Sequence, residues 1–220
     1  MNKRIGVIVG SLRAGSYNNS VAKAICCRLP DGLEPEFLAI GDLPLYNEDL
    51  DEGAPPAAWV AFRERLAQQD AFLFLTPEYN RSMPAAIKNA LDIGSRPYGS
   101  NLWAGKPAAV ISVSIGAIGG FGANHALRQS LVFLDVYPMQ QPEAYIGGAA
   151  DVIGTDGTIT DDGTCQFLQT IADAFAKWVL HFYGNTHGEG ALETKQTSSL
   201  SEEGICSPEF SVGCRDATPM

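Results

Sequence analysis

Apolar runs recur along the chain at intervals typical of buried strands. Residues 5–9 and 71–75 are unbroken apolar runs, and they predict strands buried on both faces because a half-exposed strand would alternate apolar and polar residues. Residues 36–40 and 108–114 predict two further strands, and residues 136–146 hold a last strand interrupted by prolines. The pattern therefore predicts a sheet whose central strands contact protein on both sides.

Helical spacing follows each strand. Apolar side chains three or four positions apart predict helices there, marked by Val21, Ile25 and Leu29, by Trp59, Phe62 and Leu66, by Ile87, Ala90 and Leu91, by Leu127, Leu131 and Leu134, and by Phe167, Ile171, Phe175, Trp178 and Phe182. Strand and helix thus alternate about five times, which predicts an α/β fold, an open doubly wound parallel sheet with helices on both faces. In such sheets ligands bind beyond the carboxyl ends of the strands, where the strand order reverses.

A polar loop joins the first strand to the first helix, with the sequence Gly10-Ser-Leu-Arg-Ala-Gly-Ser-Tyr-Asn18. The free N–H groups and the dipole of a helix N-terminus favour an anion there. Ser11, Ser16 and Asn18 are small hydrogen-bonding side chains, and Arg13 adds a planar guanidinium that matches phosphate oxygens. We interpret the loop as a phosphate cradle. The alternative, an ordinary turn with Asn18 as the helix N-cap, accounts for Ser16 and Asn18 but leaves Arg13 unexplained.

Two common phosphate-binding motifs are absent from the sequence. It contains neither G-x-x-x-x-G-K-[ST], the loop of nucleoside triphosphatases, nor G-x-G-x-x-G, the dinucleotide fingerprint. A phosphate bound by this loop therefore belongs to another class of ligand.

Three motifs together resemble the NAD(P)H-dependent FMN reductases. They are Ser11-Leu-Arg-x-x-Ser16-x-Asn18, Pro77-Glu-Tyr-Asn80 and Ser114-Ile-Gly-Ala-Ile-Gly-Gly120, and the similarity runs from about residue 4 to residue 183. The set is most similar to the bacterial quinone and chromate reductase branch. This resemblance implies a flavodoxin-like domain over residues 1–183, with a five-stranded parallel sheet in the order 2-1-3-4-5.

The resemblance also implies a non-covalent FMN and its contacts. The residues carried over are Ser11, Leu12, Arg13, Ser16, Tyr17 and Asn18 in the cradle, Pro77, Glu78, Tyr79 and Asn80 along the isoalloxazine ring, and Ser114 at the glycine-rich turn. By their own chemistry, residues 77–80 offer a restrained backbone with carbonyl and amide groups, which suits the edge of a flat heterocycle. The alternative is a plain turn with Glu78 in solvent. The glycines after Ser114 serve either a flexible connection or a close approach to a ligand.

The activity implied is that of an FMN-dependent oxidoreductase. Such an enzyme takes hydride from NADH or NADPH and reduces FMN, quinones or other small acceptors, with chromate or azo compounds as side substrates. The flavin performs the hydride chemistry, so we expect no catalytic side chain. The main alternative is a flavodoxin-type FMN electron carrier that serves a protein partner, and a third is an interaction protein that only retains the fold. The cradle motif and the single aromatic of residues 77–80, Tyr79, argue against the carrier.

Composition excludes several classes of partner and of binding site. A net charge of -10 argues against nucleic acid and anionic membranes as partners. No apolar run approaches the roughly 18 residues of a membrane helix, and the N-terminal apolar run is too short for a signal peptide, so we expect a cytosolic protein. The 5 cysteines include no C-x-x-C pair, and His125, His181 and His187 show no metal-ligand spacing, so we expect neither disulfides nor a metal site. Cys26 is interpreted as part of the core.

Two further features remain open. Arg128 and Glu143 form either an exposed pair or part of an interface in a homodimer or homotetramer, as helices of this kind do in the family. Residues 184–220 lose all hydrophobic periodicity and are rich in Gly, Ser and Thr, so we expect a disordered tail.

Overall fold

Six strands form one parallel sheet in the computed structural model, which describes residues 2–184. The strands are β1 Lys3–Val9, β2 Leu33–Phe37, β3 Ala71–Thr76, β4 Pro107–Val113, β5 Tyr137–Pro138 and β6 Ala144–Ile146. Their order is β2-β1-β3-β4-β5, with β6 also paired to β4. The flavodoxin-like order 2-1-3-4-5 is thereby confirmed.

Seven helices are described within the same residues. They are α1 Tyr17–Cys26, α2 Glu48–Asp51, α3 Ala57–Ala67, α4 Ala85–Gly94, α5 Phe121–Phe133, α6 Ala149–Val152 and α7 Asp162–Tyr183. α1 and α7 bury their apolar sides against one face of the sheet, and α3, α4 and α5 bury theirs against the other. The predictions that Trp59, Phe62 and Leu66 are core residues and that Cys26 is buried are confirmed.

Two strand predictions were wrong in their bounds. The second strand lies at Leu33–Phe37 instead of 36–40, although Leu38 and Ile40 are still buried. An apolar pattern indicates which side chains are buried and does not indicate which residues pair in a sheet. Leu38 and Ile40 are buried in the core although they follow the last paired residue of β2. The last strand is split into β5 and β6, so the sheet has one strand more than predicted. Pro138 and Pro142 lack an N–H for the ladder, and the chain leaves β4 between them.

The long connection after β2 is fixed to two helices. Asp51 at the end of α2 accepts two hydrogen bonds of 2.7 Å from Arg63 of α3, and the two side chains are only 4% and 13% exposed. These bonds from Arg63 lower the pKa of Asp51. Arg63 also donates to the carbonyl of Ile93 on α4. This segment is therefore an ordered part of the domain.

Residues 2–184 contain neither a candidate membrane span among their helices nor a candidate metal cluster. No helix in that part of the chain is long and apolar enough to cross a bilayer. No group of three or more His, Cys, Asp or Glu side chains there could hold a metal ion. His187 and the predicted tail, apart from Gly184, lie outside the described residues.

Candidate functional site

The three motif loops meet at the carboxyl edge of the sheet. Gly10, which begins the first loop, donates its N–H to the carbonyl of Leu75 at 2.8 Å, two residues before Pro77. Thr76 pairs with Ser112, two residues before the third motif. Because β3 lies between β1 and β4, its loop is the shared neighbour of the other two. The chain order thus places all three motifs around one edge, as ligand sites in doubly wound sheets require.

The first loop keeps polar groups unpaired at the start of α1. Ser16 is the N-cap residue, its side chain makes no capping bond, and its buried Oγ has no hydrogen-bond partner within residues 2–184. Arg13 is exposed and forms no ion pair in that range. A buried hydroxyl without a partner costs stability, so a ligand oxygen beside Ser16 would relieve that cost.

Asn18 has a different position from the one expected of an N-cap. It lies in the first turn of α1, 4% exposed, and its amide nitrogen donates to the carbonyl of Val113 at 3.4 Å. The alternative in which Asn18 caps the helix is therefore wrong, because Ser16 occupies that position. The amide tethers α1 to the end of β4, and its Oδ1 has no partner among the described residues.

A cavity of about 270 Å³ adjoins the cradle. It is lined by Ser11, Leu12 and Arg13 together with residues 38–42 after β2. It includes neither residues 77–80 nor Ser114. The cavity therefore lies on the β2 side of the cradle, whereas the other two motifs follow β3 and β4 on the opposite side of β1 and do not border it. Tyr17, the first residue of α1, is half-buried against the core.

Residues 77–80 begin as buried backbone and end in an exposed turn. Pro77 is buried, whereas Tyr79 is 50% exposed. Tyr79 and Ser82 exchange two backbone hydrogen bonds of 3.0 Å, and between them Asn80 and Arg81 have φ angles of 51° and 65°. Positive φ at two residues with side chains is unfavourable. The two backbone hydrogen bonds between Tyr79 and Ser82 stabilise this turn, and the side chains of Tyr79 and Asn80 are exposed at the carboxyl edge of the sheet.

Glu78 links two parts of the structure, so the alternative in which its side chain is only solvated is wrong. One carboxylate oxygen accepts from Arg81 and the other accepts from the N–H of Ala123, both at 3.1 Å. Ala123 lies in the first turn of α5, where backbone N–H groups lack helical partners and a carboxylate is favoured. Glu78 thus joins the second motif to the helix that follows the third. The sequence carries no signal for this pairing, because 45 residues separate the two partners.

Ser114 is held by backbone on both sides. Its N–H donates to Ile146 at 2.9 Å, and its Oγ accepts from the N–H of Gly116 at 3.1 Å. The glycines after Ser114 pack closely against other residues of the protein. A Cβ at Gly119 would lie 2.8 Å from the backbone of Tyr145, and one at Gly120 would lie 3.0 Å from Ser112, and both glycines have positive φ. Glycine is therefore required here for packing of the turn.

Exposed apolar side chains surround the same edge. Each motif loop or its flank carries some of them, namely Leu12, Tyr79, Ile115, Ile118 and Phe121, which are 47–70% exposed. The sequence reasoning did not single out Ile115, Ile118 or Phe121, because a pattern of apolar residues predicts burial and cannot identify those that stay outside. An apolar rim with polar groups at one end suits a flat ring that carries a phosphate.

Arg128 is not part of an exposed pair. Its Nε donates to Asn124 Oδ1 and its Nη1 donates to the carbonyl of Met139, each at 2.8 Å. Burial lowers the pKa of Arg128, and the electrostatic interactions with Tyr145 and Glu143 oppose that change. The side chain joins α5 to the segment after β5, so the exposed-pair alternative is wrong.

Residues of the cradle fit FMN in charge and in hydrogen bonding. The Ser16 hydroxyl and the Arg13 guanidinium can both donate to phosphate oxygens at a helix N-terminus. Tyr79 and the apolar rim offer contact area to an isoalloxazine ring. These protein groups suit a ligand that combines an anionic group with an aromatic ring. Binding such a ligand requires no acid–base pair.

Known proteins resemble the chain over most of the described residues. The model of the family described as NADPH-dependent FMN reductase matches residues 3–151. A quinone reductase from Pseudomonas putida is 59% identical over 175 residues, which cover 80% of this chain and 94% of that protein. A 2-hydroxy-1,4-benzoquinone reductase from a Burkholderia species is 45% identical, with 81% and 97% covered. Among solved structures, the flavoenzyme NAD(P)H:(acceptor) oxidoreductase FerB from Paracoccus denitrificans is 44% identical with a TM-score of 0.76, covering 82% of this chain and 98% of that one.

Proposed function

The chain belongs to the NADPH-dependent FMN reductase family, and we propose that it binds FMN at the carboxyl edge of the sheet and transfers electrons from NADH or NADPH to quinones. It is an NAD(P)H-dependent oxidoreductase, and FMN and quinones are its acceptor classes. The assignment of individual side chains to the cofactor is part of this proposal.

One observation supports the cofactor site more than any other. The Ser16 hydroxyl is buried at the start of α1 without a partner among residues 2–184, and the exposed Arg13 of the same loop forms no ion pair in that range. Proteins satisfy nearly all buried polar groups. A phosphate at this helix N-terminus would accept a hydrogen bond from the Ser16 hydroxyl, and Arg13 of the same loop could add its guanidinium.

The remaining proposed contacts position and shield the ring. Ser11, Leu12, Tyr17 and Asn18 would complete the cradle around the phosphate, with Asn18 keeping α1 against β4. Pro77, Glu78, Tyr79 and Asn80 would line one edge of the ring, and Ser114 would contact it from the glycine-rich turn. Bound FMN supplies the hydride chemistry. The chain itself binds the cofactor and orients the ring with one face left open, and we assign it no catalytic side chain.

A flavodoxin-type carrier remains the alternative function. Carriers commonly hold the ring between two aromatic side chains, whereas residues 77–80 offer Tyr79 alone. The similarity to quinone reductases also favours the enzyme. We further propose that chromate and azo compounds are side substrates, because a reduced ring open to solvent meets any small oxidant.

Location and assembly complete the proposal. We place the enzyme in the cytosol as a homodimer or homotetramer. Val132 and Phe133, at the end of α5, are 68% and 84% exposed, which is typical of side chains that a second subunit covers. Light scattering of the purified protein would test the assembly, and a monomer at micromolar concentration would contradict it.

Kinetics with two substrates test the enzyme against the carrier. The nicotinamide must stack within about 3 to 3.5 Å of the ring to deliver hydride, and the acceptor needs the same open face. We therefore expect ping-pong kinetics, with parallel double-reciprocal lines when NADPH and a quinone are varied. The absorbance of the FMN-loaded protein should be bleached anaerobically by NADH or NADPH. A protein that binds FMN tightly yet reacts with neither nicotinamide would be a carrier.

A further inference from the structure

The cavity beside the cradle has an apolar lining that the proposed flavin ring contacts leave unused. It measures about 270 Å³ and lies between the cradle and residues 38–42, and we call it the β2 cavity. Val7 and Val9 of β1 and Phe37 of β2 form part of its lining. Pockets for whole drug-sized ligands occupy about 300–1,000 Å³, so the β2 cavity suits one ring system of a larger molecule.

Two side chains of opposite charge also line the β2 cavity. Arg13 comes from the cradle and Asp42 from the loop after β2, and both are exposed. Neither forms an ion pair with another residue in the range 2–184. A carboxylate accepts hydrogen bonds from hydroxyl groups, whereas a guanidinium donates to phosphate oxygens. An apolar cavity bordered by these two groups therefore matches a base that is linked to a ribose and a phosphate.

The strand order places the β2 cavity in line with the proposed flavin site. Along the carboxyl edge, the order β2-β1-β3-β4 gives first the cavity, then the cradle, then residues 77–80 and Ser114. Neighbouring strands lie about 4.8 Å apart, so this edge runs roughly 10–15 Å from β2 to the loops after β3 and β4. A ligand that stacks on the flavin ring and extends along the edge towards β2 would reach the cavity with its other end.

The hydride donor is a ligand of that shape. In NADH and NADPH a ribose and a pyrophosphate separate the nicotinamide from the adenosine, much as the ribityl chain separates the ring from the phosphate in FMN. The nicotinamide must stack on the flavin to deliver hydride. A donor that runs parallel to the ribityl chain then brings its pyrophosphate to Arg13 and its adenosine to the β2 cavity. Arg13 has several N–H donors, so it can serve the phosphate of FMN and this pyrophosphate together.

We propose that the β2 cavity is the adenosine subsite of the hydride donor. The purine packs on the apolar lining, Asp42 accepts hydrogen bonds from the hydroxyls of the adenosine ribose, and Arg13 binds the pyrophosphate. This inference rests on the proposed function, since it locates the cosubstrate of that same site. A 2′-phosphate would bring negative charge to Asp42 and remove one of the hydroxyls that it binds. Asp42 therefore lowers the affinity for NADPH relative to NADH.

Titration with ADP-ribose tests the subsite without turnover. ADP-ribose carries the adenosine and the pyrophosphate but lacks the nicotinamide, so it leaves the flavin oxidised. In the FMN-loaded protein, Asp42→Asn should weaken ADP-ribose binding by about three- to tenfold, the range of one net hydrogen bond. The affinity for 2′-phospho-ADP-ribose should not fall, because the substitution also removes the charge repulsion. Isothermal titration of both ligands would measure this.

Asp31→Asn is the matched control for Asp42→Asn. Asp31 is an exposed carboxylate in the turn between α1 and β2, at the amino end of the sheet. Its substitution removes the same charge far from the β2 cavity, so the affinities for ADP-ribose and for 2′-phospho-ADP-ribose should both equal those of the parent.

Filling the cavity tests the space itself. Ala39 lines the β2 cavity and is exposed, so a larger side chain there can be accommodated by the fold. Ala39→Phe should place a ring in the cavity and weaken ADP-ribose binding by about tenfold or more. The affinity for FMN should not change, because Ala39 is not one of the proposed FMN contacts. Where Ala39→Phe does not fold, Asp42→Asn carries the test.

Kinetics with a shortened donor separate the adenosine from the nicotinamide. Reduced nicotinamide mononucleotide carries the reactive ring without the adenosine. Asp42→Asn should raise the KM for NADH by about three- to tenfold, whereas the KM for the mononucleotide should stay at the parent value. A rise of equal size for both donors would overturn the subsite, because the effect would then not depend on the adenosine.

The outcome for the subsite is distinguishable from the outcome for the proposed function. Equal ADP-ribose affinities in the parent, Asp42→Asn and Ala39→Phe would overturn the subsite even if NADH reduces the flavin. An FMN-loaded parent that neither NADH, NADPH nor the reduced mononucleotide reduces would overturn the proposed function. The ADP-ribose titrations require no turnover, so they would still decide on the subsite in that case.

Discussion

The two ends of the same sheet differ in how their charged side chains are paired. At the amino end, Glu36 accepts hydrogen bonds from Arg65 and Gln69 and pairs with Arg4, and Lys3 pairs with Asp70. At the carboxyl end, by contrast, Arg13 and the Ser16 hydroxyl have no partner among residues 2–184.

The difference separates stability from binding. Paired charges at the amino end hold strands and helices together, although the buried Oε1 of Gln69 has no partner among residues 2–184. At the carboxyl end the buried, unpaired Ser16 hydroxyl lowers stability in the absence of a ligand, whereas the exposed Arg13 is solvated, and both side chains are available to bind an anion. An arrangement of this kind agrees with the rule that ligands bind at carboxyl edges of doubly wound sheets. The following substitutions would test whether the two ends are independent.

The largest effect is expected at the cradle. Arg13→Ala removes charge-assisted hydrogen bonds worth about 1.5 to 3 kcal/mol each, so FMN should bind roughly ten- to more than a hundredfold more weakly. Riboflavin lacks the phosphate, and its affinity should barely change. Isothermal titration of both ligands would measure this.

Arg4→Ala provides the matched control for Arg13→Ala. It removes a guanidinium from the amino end of the sheet, which is paired with Glu36, and should leave FMN affinity unchanged. Equal losses of FMN and riboflavin in Arg13→Ala would show that the loop does not bind the phosphate.

A smaller effect is expected from Glu36. Burial by itself would raise the pKa of this carboxyl, but hydrogen bonds from Gln69 and Arg65 and the charges of Arg65 and Arg4 outweigh it, and the pKa lies below its ordinary value of 4.5. A lowered pKa gives stability that is present above the ordinary value and lost as the pH falls through the folded value. Glu36→Gln should therefore cost about 1 kcal/mol at neutral pH, because the partly exposed pairs are screened by solvent.

The pH dependence of unfolding checks the role of Glu36. Urea midpoints measured from pH 7 down to pH 3 should converge for the parent and Glu36→Gln at the acid end. FMN affinity at pH 7 should be the same in both proteins. A constant difference in stability across this range would mean that the carboxylate charge is not the cause.

At the end of α7 we expect an effect no larger than that of Glu36→Gln. Tyr183 donates its hydroxyl to the carbonyl of Asp70 at 2.6 Å, and Lys3 lies 3.6 Å from the centre of its ring. A chain ending at Gly184 keeps both contacts, so its melting temperature and flavin content should equal those of the full chain. A chain ending at Phe182 loses them, and a loss of about 1 kcal/mol corresponds to roughly 2–4 °C. Calorimetry of the two truncations would decide, and a drop in the longer one would show that residues after 184 contribute.

Sequence patterns predicted the fold more fully than the site. The buried runs at residues 5–9 and 71–75 and the five helical repeats were sufficient for the doubly wound sheet, because periodicity follows directly from which faces are buried. Strand bounds were less certain. Leu38 and Ile40 are buried in the core although they lie outside β2, so their apolar character did not mark a paired strand. Pro138 and Pro142 divide residues 136–146, predicted as one strand, into β5 and β6.

One part of the candidate site could be predicted from neighbouring residues, and the other part depends on tertiary contacts. Neighbouring residues alone indicated the phosphate cradle, because Ser16 and Arg13 lie on one loop before one helix, and a helix N-terminus attracts anions wherever it occurs. Only the tertiary structure showed that Glu78 binds Ala123 and that Phe121, His125 and Tyr145 come together at an exposed rim. Except for Phe121 and His125, which lie on the same helix, those contacts join residues 20 or more positions apart. Solvent exposure of an apolar side chain depends on what packs beside it. Spacing along a chain encodes neither property.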